Sequence, residues 1–206
     1  MNQRRAGIKD RCPNCRINNN LCVCHILIPF EIKSTISLIV HVNELKLTSN
    51  SAQFIQKMLP QNAETFIRGQ VYNNFEPSGI VKREGRPLFL YPHDDAVELN
   101  EDFKTKYPGP YHIIIPDGNW HQARRVRKRE AAFKEMMAVK LPEGILGEYK
   151  LRRALQPEWL STYEAVAHTL GILEGKEITE KLMEFFRVWV KTTLYNRSKD
   201  ESYLDD

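Results

Sequence analysis

Four cysteines fall within thirteen residues, as Cys12-x-x-Cys15 and Cys22-x-Cys24, and the rest of the chain has none. Such clustering at a polar terminus has no packing explanation, and a disulfide framework for the main domain is excluded because no thiol lies beyond Cys24. Four thiolates fill the tetrahedral shell of zinc and leave no position for substrate. The chemistry expected of Cys12, Cys15, Cys22 and Cys24 is therefore a structural zinc site. Pro13 and the Asn18-Asn19-Asn20 run supply turns between the pairs, and His25 is a possible replacement ligand. An iron-sulfur cluster is the rival, disfavoured because the second pair is so close. Arg11 and Arg16 beside this small platform suit contact with nucleic acid.

A second chemistry-bearing stretch reads Ile113-Ile114-Ile115-Pro116-Asp117-Gly118-Asn119-Trp120-His121-Gln122-Ala123-Arg124-Arg125. Three consecutive β-branched residues suit a strand covered on both faces, and Pro116 with Gly118 ends it. Ligands of open α/β sheets lie beyond the carboxyl ends of strands, which puts Asp117, Asn119 and Trp120 at the edge of a site. Asp117 is then an acid-base candidate; the competing reading is an N-cap for the helix that follows. Arg124 with Lys128, and Arg125 with Arg129, are same-face pairs of like charge four residues apart. They cost helix stability, which favours phosphate binding over plain solubility. His41-x-x-Glu44 supplies too few ligands for zinc, so it either closes a loop over a ligand or forms a hydrogen-bonded strand end. Arg152 and Arg153 carry the bidentate fork that suits a carboxylate or a phosphate. Glu164 stands in Ser161-Thr162-Tyr163-Glu164, the spacing of a capping box, so a structural role competes with a chemical one.

The elements that must position these groups alternate. Thr35 to Val42, Leu88 to Tyr91 and Tyr111 to Ile115 read as strands, the last two closed by Pro92 and Pro116. Ser51 to Leu59, Trp120 to Val139, a segment from the Ser161 cap to about Leu173, and Ile178 to Asn196 read as helices. The Phe185, Phe186 and Trp189 stripe of the last one is core or dimer surface. Alternating elements with doubly apolar strands predict an α/β fold. A length of 206 residues allows one domain with a small appendage, divided as residues 1–28 around the cysteines and 29–206 for the α/β part. The formal charge of +4 is modest, so local clusters carry any argument for nucleic acid, including Arg4, Arg5 and Lys9 near the start. The first eleven residues lack the apolar core of a signal peptide, and no run is long enough to span a bilayer. A cytoplasmic protein without membrane attachment is the expectation.

Taken together, the Cys12–Cys24 cluster, His41-x-x-Glu44-x-Lys46-x-Thr48, Asp117-x-x-Trp120-x-Gln122-Ala123-Arg124 and Leu160-Ser161-Thr162-x-Glu164-Ala165 resemble the DTW-domain family of tRNA-uridine aminocarboxypropyltransferases. The family's name motif is Asp-Thr-x-Trp, and Gly118 stands here where threonine would, so adjusted loop contacts with retained activity are expected. The resemblance implies a SPOUT-like sheet flanked by helices with a carboxyl-terminal trefoil knot. It also implies S-adenosylmethionine as donor, tRNA as partner, and transfer of the 3-amino-3-carboxypropyl group to N3 of a uridine with release of methylthioadenosine. A variable-loop uridine is expected for a compact chain, a D-loop uridine being the other option.

On that basis Asp117 is the candidate proton acceptor, with Glu44 and Glu164 as alternatives, and Trp120 stacks on adenine or the target base unless it is core. The donor site is assigned to Leu90, Pro92, Asp117, Gly118, Trp120, Arg152, Ser161, Thr162 and Glu164. The tRNA side is assigned to His41, Glu44, Lys46, Thr48, Asn50, Gln122, Arg124, Arg125 and Lys128. A monomer is expected. Two rival functions remain: a SPOUT-type methyltransferase using the same donor, and a zinc-bearing RNA-binding module without catalysis.

Overall fold

The computed structural model describes residues 10–72, 75–152 and 159–203. Its strands are β1 (Thr35–His41), β2 (Ala63–Arg68), β3 (Arg86–Leu90), β4 (Val97–Glu98), β5 (Tyr111–Asp117) and β6 (Met137–Lys140). They form one sheet in the order β2-β1-β5-β3-β6-β4, with every neighbouring pair parallel. The helices are α1 (Gln53–Met58), α2 (Ser78–Val81), α3 (Glu101–Lys106), α4 (Trp120–Arg129), α5 (Ala131–Lys134), α6 (Thr162–Glu174) and α7 (Lys176–Ser198).

Side chains of the central strands alternate between two apolar layers. Ile36, Leu38 and Val40 of β1, Leu88 and Leu90 of β3, and Ile113 and Ile115 of β5 face one layer with α1, α6 and α7. Ile39, Phe89 and Ile114 face the other, with Val126 of α4 and Phe133 of α5. Each such side chain, fully buried, contributes about 1.5–3 kcal/mol relative to exposure. Phe185, Phe186 and Trp189 belong to the first layer and are at most 2% exposed, so the aromatic stripe is core and not a subunit surface. Cys15 and Ile17 of the cysteine segment are buried in that same layer.

The long helix expected from Trp120 to Val139 is not one element. Its backbone turns extended at Glu130, and Met137 to Val139 pair with Leu88 to Leu90 as strand β6. The segment Met136-Met137-Ala138-Val139 satisfies either periodicity, and the open edge of β3 decided between them, a case of tertiary pairing overriding local propensity. Strands β2 and β4 were also not foreseen. They lie at the two ends of the sheet, and β4 has only two residues. The chain path that would decide the expected knot runs through residues 153–158, which lie outside the described residues.

Candidate active site

The carboxyl ends of β3, β5 and β6 open onto one cavity of about 870 Å³. Leu90, Tyr91 and Pro92 line it from β3, Asp117 and Gly118 from β5, Lys140 to Ile145 from the loop after β6, and Ser161, Thr162 and Ala165 from the start of α6. The loop after β1 adds Ser49, Asn50 and Ser51. All these strands are parallel, so their ends converge where no strand continues, which is where an α/β sheet leaves room for a ligand.

Asp117 ends β5 at the floor of this cavity, and it does not cap α4. That task falls to Asn119, whose Oδ1 accepts from Gln122 N at 2.9 Å while Gln122 Oε1 accepts from Asn119 N at 3.0 Å. The Asp117 carboxylate is instead held by side chains from two other elements. Asn50 donates from Nδ2 to Oδ2 at 3.0 Å, and Thr162 donates from Oγ1 to Oδ1 at 2.6 Å. Desolvation by burial raises its pKa above the usual carboxylate value. Glu44 adds to the rise, and the bonds from Thr162 and Asn50 oppose it. A carboxylate so fixed is orientated, and beyond these two bonds its oxygens keep lone pairs that can accept a proton.

Glu44 is 7% exposed and serves a neighbour. Arg152 donates to it from Nη2 at 2.6 Å and to Ser49 Oγ from Nε at 3.1 Å. The arginine lines the cavity with its side chain 40% exposed. One edge of the guanidinium is thus fixed, and the rest is open to an anion. Tyr149 donates its hydroxyl to Ser49 O, and its ring stacks on Trp189 with an interplanar angle of 14°.

Three aromatic rings frame the mouth. Trp120 lies 4.9 Å from Trp159 and meets Tyr91 edge-on at 5.7 Å, all centroid distances. At 42% exposure Trp120 is not core. Beyond it on α4, Arg124, Arg125 and Lys128 are exposed, whereas Arg127 is tied to Asp95 at 2.8 Å and to Met136 O at 2.9 Å.

The other expected residues are scattered. Glu164 lies beneath the cavity and is fully buried. Its Oε2 accepts from Ser161 N at 2.7 Å, completing the capping box of α6, and its Oε1 accepts from the amides of Glu148 and Tyr149 at 2.5 and 3.1 Å. With three backbone donors it is a structural anchor, and it is not among the residues that line the cavity. His41 accepts from Asn43 N at 3.2 Å and lies on the far side of Asp117 from the cavity, in a crevice with Gln122. Gln122 caps α4 through its Oε1. Lys46 and Thr48 are exposed on the loop after β1, away from the cavity lining. A Cβ on Gly118 would sit 2.9 Å from Gln122 Oε1, so glycine here suits the cap that Gln122 forms. Arg4, Arg5, Lys9 and Arg153 lie outside the described residues.

Sequence reasoning missed Tyr91, Trp159, Ser49, Tyr149 and the loop from Lys140 to Ile145. Tyr91 had a signal, since it directly precedes the strand-closing Pro92. Trp159 and the 140–145 loop had none, because their place depends on β6, which the sequence disguises as helix.

The four cysteine sulfurs lie within 4.8 Å of one another, with Cys12 to Cys24 at 3.7 Å and Cys15 to Cys22 at 3.8 Å. A tetrahedron of Zn–S bonds of about 2.3 Å has edges of about 3.8 Å. Burial pushes the Cys15 and Cys24 thiols up, whereas Cys12, although burial opposes it, is drawn down to about 6 by backbone N–H groups of Cys15 and Asn14. Four thiols this close cannot all ionise without a cation among them, so the donor set fits a divalent metal such as zinc.

Among the described residues no helix is long and apolar enough to cross a membrane. The sequence model of the DTW domain matches residues 9–194. The tRNA-uridine aminocarboxypropyltransferase 2 of Drosophila melanogaster is 27% identical over 194 residues, covering 91% of this chain and 76% of that protein. The tRNA-uridine aminocarboxypropyltransferase 2 of Macaca fascicularis is 28% identical over 183 residues, 86% of this chain and 61% of its own length. The tRNA-uridine aminocarboxypropyltransferase A of Arabidopsis thaliana is 26% identical over 210 residues, 87% and 79% of the two chains. The chain therefore spans less than two thirds of the macaque relative and about three quarters of the other two.

Proposed function

The chain belongs to the DTW-domain family, and on that premise we propose that it transfers the 3-amino-3-carboxypropyl group of S-adenosylmethionine to N3 of a tRNA uridine, with methylthioadenosine as the second product. The observation that carries the proposal is the meeting of Asp117 and Arg152 in one cavity at the strand ends, a proton acceptor and a carboxylate receptor delivered by different elements. The relatives' names supply the substrate class.

When bound, S-adenosylmethionine supplies a carbon activated by its neighbouring sulfonium. The protein's work is then alignment and one proton. Asp117, fixed by Asn50 and Thr162, accepts the N3 proton of uridine, a contribution of about two to four decades in rate. Arg152, fixed by Glu44 and Ser49, holds the carboxylate of the aminocarboxypropyl arm, which turns that arm and not the methyl group toward the base. Trp120, Trp159 and Tyr91 form a stacking surface for planar groups at the mouth. Arg124, Arg125 and Lys128 extend from it as phosphate contacts.

Zinc held by Cys12, Cys15, Cys22 and Cys24 is structural in this reading, because its shell is closed. The enzyme works as a cytoplasmic monomer, with the metal segment in residues 1–28 and the catalytic part, including the family's knot, in 29–206. The target in this reading is a variable-loop uridine. Chromatography of the spent donor tests the proposal: methylthioadenosine supports it, and S-adenosylhomocysteine would make the protein a methyltransferase. Tight RNA binding with neither product would leave the non-catalytic module.

A further inference from the structure

The side chain of Arg16 bridges the cysteine turn and the loop after β1. Arg16 follows Cys15 directly and adopts the left-handed conformation, φ 63°, that a non-glycine residue seldom takes. Its amide donates to Cys12 O at 2.8 Å, closing the turn around the first cysteine pair. That turn aims the guanidinium away from the cluster at the loop after β1. Nη1 donates to Leu47 O at 2.5 Å, and Nη2 donates to Leu45 O at 3.0 Å.

The gripped loop is the one that furnishes the cavity. Glu44 at its start holds Arg152, Ser49 accepts from both Arg152 and Tyr149, and Asn50 at its end holds Asp117. Leu45 packs against the core, but Lys46, Leu47 and Thr48 are exposed, so the middle of the loop has little packing of its own to hold it there. The cysteine turn does not need Arg16 to stay in place. Lys57 of α1 donates to Asn14 O at 2.5 Å, Trp189 of α7 donates to Cys15 O at 3.3 Å, and Cys15 and Ile17 are buried in the core. The turn is anchored on two helices, and the fork of Arg16 is the third connection, directed at the loop.

We infer that Arg16 is a positioning residue through which the metal-binding turn holds the 44–50 loop, and with it the Glu44–Arg152 and Asn50–Asp117 pairs, in the geometry the cavity requires. The metal segment is then a part of the active site's support and more than a stabiliser of the fold. The consequence for ligands rests on the donor reading above: a loosened loop weakens the grip on the aminocarboxypropyl arm, which Arg152 faces, and leaves adenosine binding alone.

The variant to use is Arg16→Gly, because glycine accepts a φ of 63° and keeps the turn while deleting the fork. Three readouts decide. The zinc stoichiometry of the purified variant should equal that of the wild type. Amide hydrogen exchange at Leu47 and Asn50 should rise several-fold, while exchange in β5 stays unchanged. Calorimetry should show S-adenosylhomocysteine, which carries the arm, bound about tenfold more weakly or worse, the scale of one misplaced charge-assisted contact. Methylthioadenosine, which lacks the arm, should bind as before. Arg16→Lys, able to reach one carbonyl, should restore part of the affinity.

Loss of zinc from Arg16→Gly would overturn the inference, since Arg16 would then serve the metal turn itself. Unchanged exchange in the loop would overturn it too, as would equal weakening of both ligands. Failure of the wild type to bind either ligand would refute the donor reading and not this one, because the exchange measurement tests the loop without any ligand.

Discussion

Thr162 donates to Asp117 at 2.6 Å, joining the first turn of α6 to the end of β5 across the floor of the cavity. With Asn50 on the other oxygen, the carboxylate is fixed yet still desolvated, and the net effect is a raised pKa. Asp117→Asn should fold, bind S-adenosylhomocysteine with near wild-type affinity, and lose at least two decades in single-turnover transfer. The anion is the active form, so wild-type turnover should fall as pH is lowered through a pKa above the ordinary carboxylate value of about 3.9. Thr162→Val removes a bond that favours the anion, so its acid limb should move to higher pH. A pH–rate profile of both proteins checks the direction.

Arg152 is the cation that the buried Glu44 faces, and the two come from opposite ends of the site. Arg152→Met should raise the KM for S-adenosylmethionine at least tenfold and leave the KM for tRNA within a factor of about three. It should also lower stability by about 1–3 kcal/mol, because a buried acceptor is left without its donor. Initial rates with each substrate varied, together with urea unfolding, separate the two effects.

Trp120 and Trp159 meet at the mouth, and burial does not explain the place of Trp120, which is 42% exposed. Alanine at either position should lower kcat/KM for tRNA by roughly 5- to 150-fold, the equivalent of about 1–3 kcal/mol of base stacking. The melting temperature should hardly move. A loss of stability without a loss of tRNA use would make the rings structural.

His112 of β5 is 1% exposed, with Nε2 at 2.9 Å from Oγ of Ser37 on the neighbouring β1. Burial, aided by the charge of Arg83, depresses its pKa to about 4. The folded protein therefore keeps the ring neutral where the unfolded chain protonates it near pH 6.5. Its contribution is fully present above about pH 6.5 and is lost as pH falls toward about 4, by up to about 3 kcal/mol. Urea midpoints measured across that range should drop in the wild type and drop less in His112→Asn.

Much of this site can be read in the chain, and the failures have physical causes. Asp117 and Trp120 follow from a β-branched run leading into Pro116 and Gly118, although the strand carries on through Pro116 and ends at Asp117. The four-cysteine cluster that could hold a metal follows from thiol spacing alone, since its members are local. For Glu164 the capping-box spacing shows one of its partners and hides the others: the amides of Glu148 and Tyr149 are long-range. Glu44 was placed on the tRNA side for the same reason, as its partner Arg152 lies 108 residues away. The strand character of Met137 to Lys140 was invisible because apolar segments of that length fit either period, and only the free edge of β3 chose. Contacts between distant elements are where local pattern carries no information, and they supply the supports of the site more than its reactive groups.

The most direct test of the central claim is mass spectrometry of nucleosides from unmodified tRNA incubated with the protein and S-adenosylmethionine labelled in its carboxyl carbon. The account predicts a labelled aminocarboxypropyl-uridine, formed in step with methylthioadenosine and absent with Asp117→Asn. A methylated nucleoside without carboxyl label, or unmodified uridine beside intact donor, would contradict it.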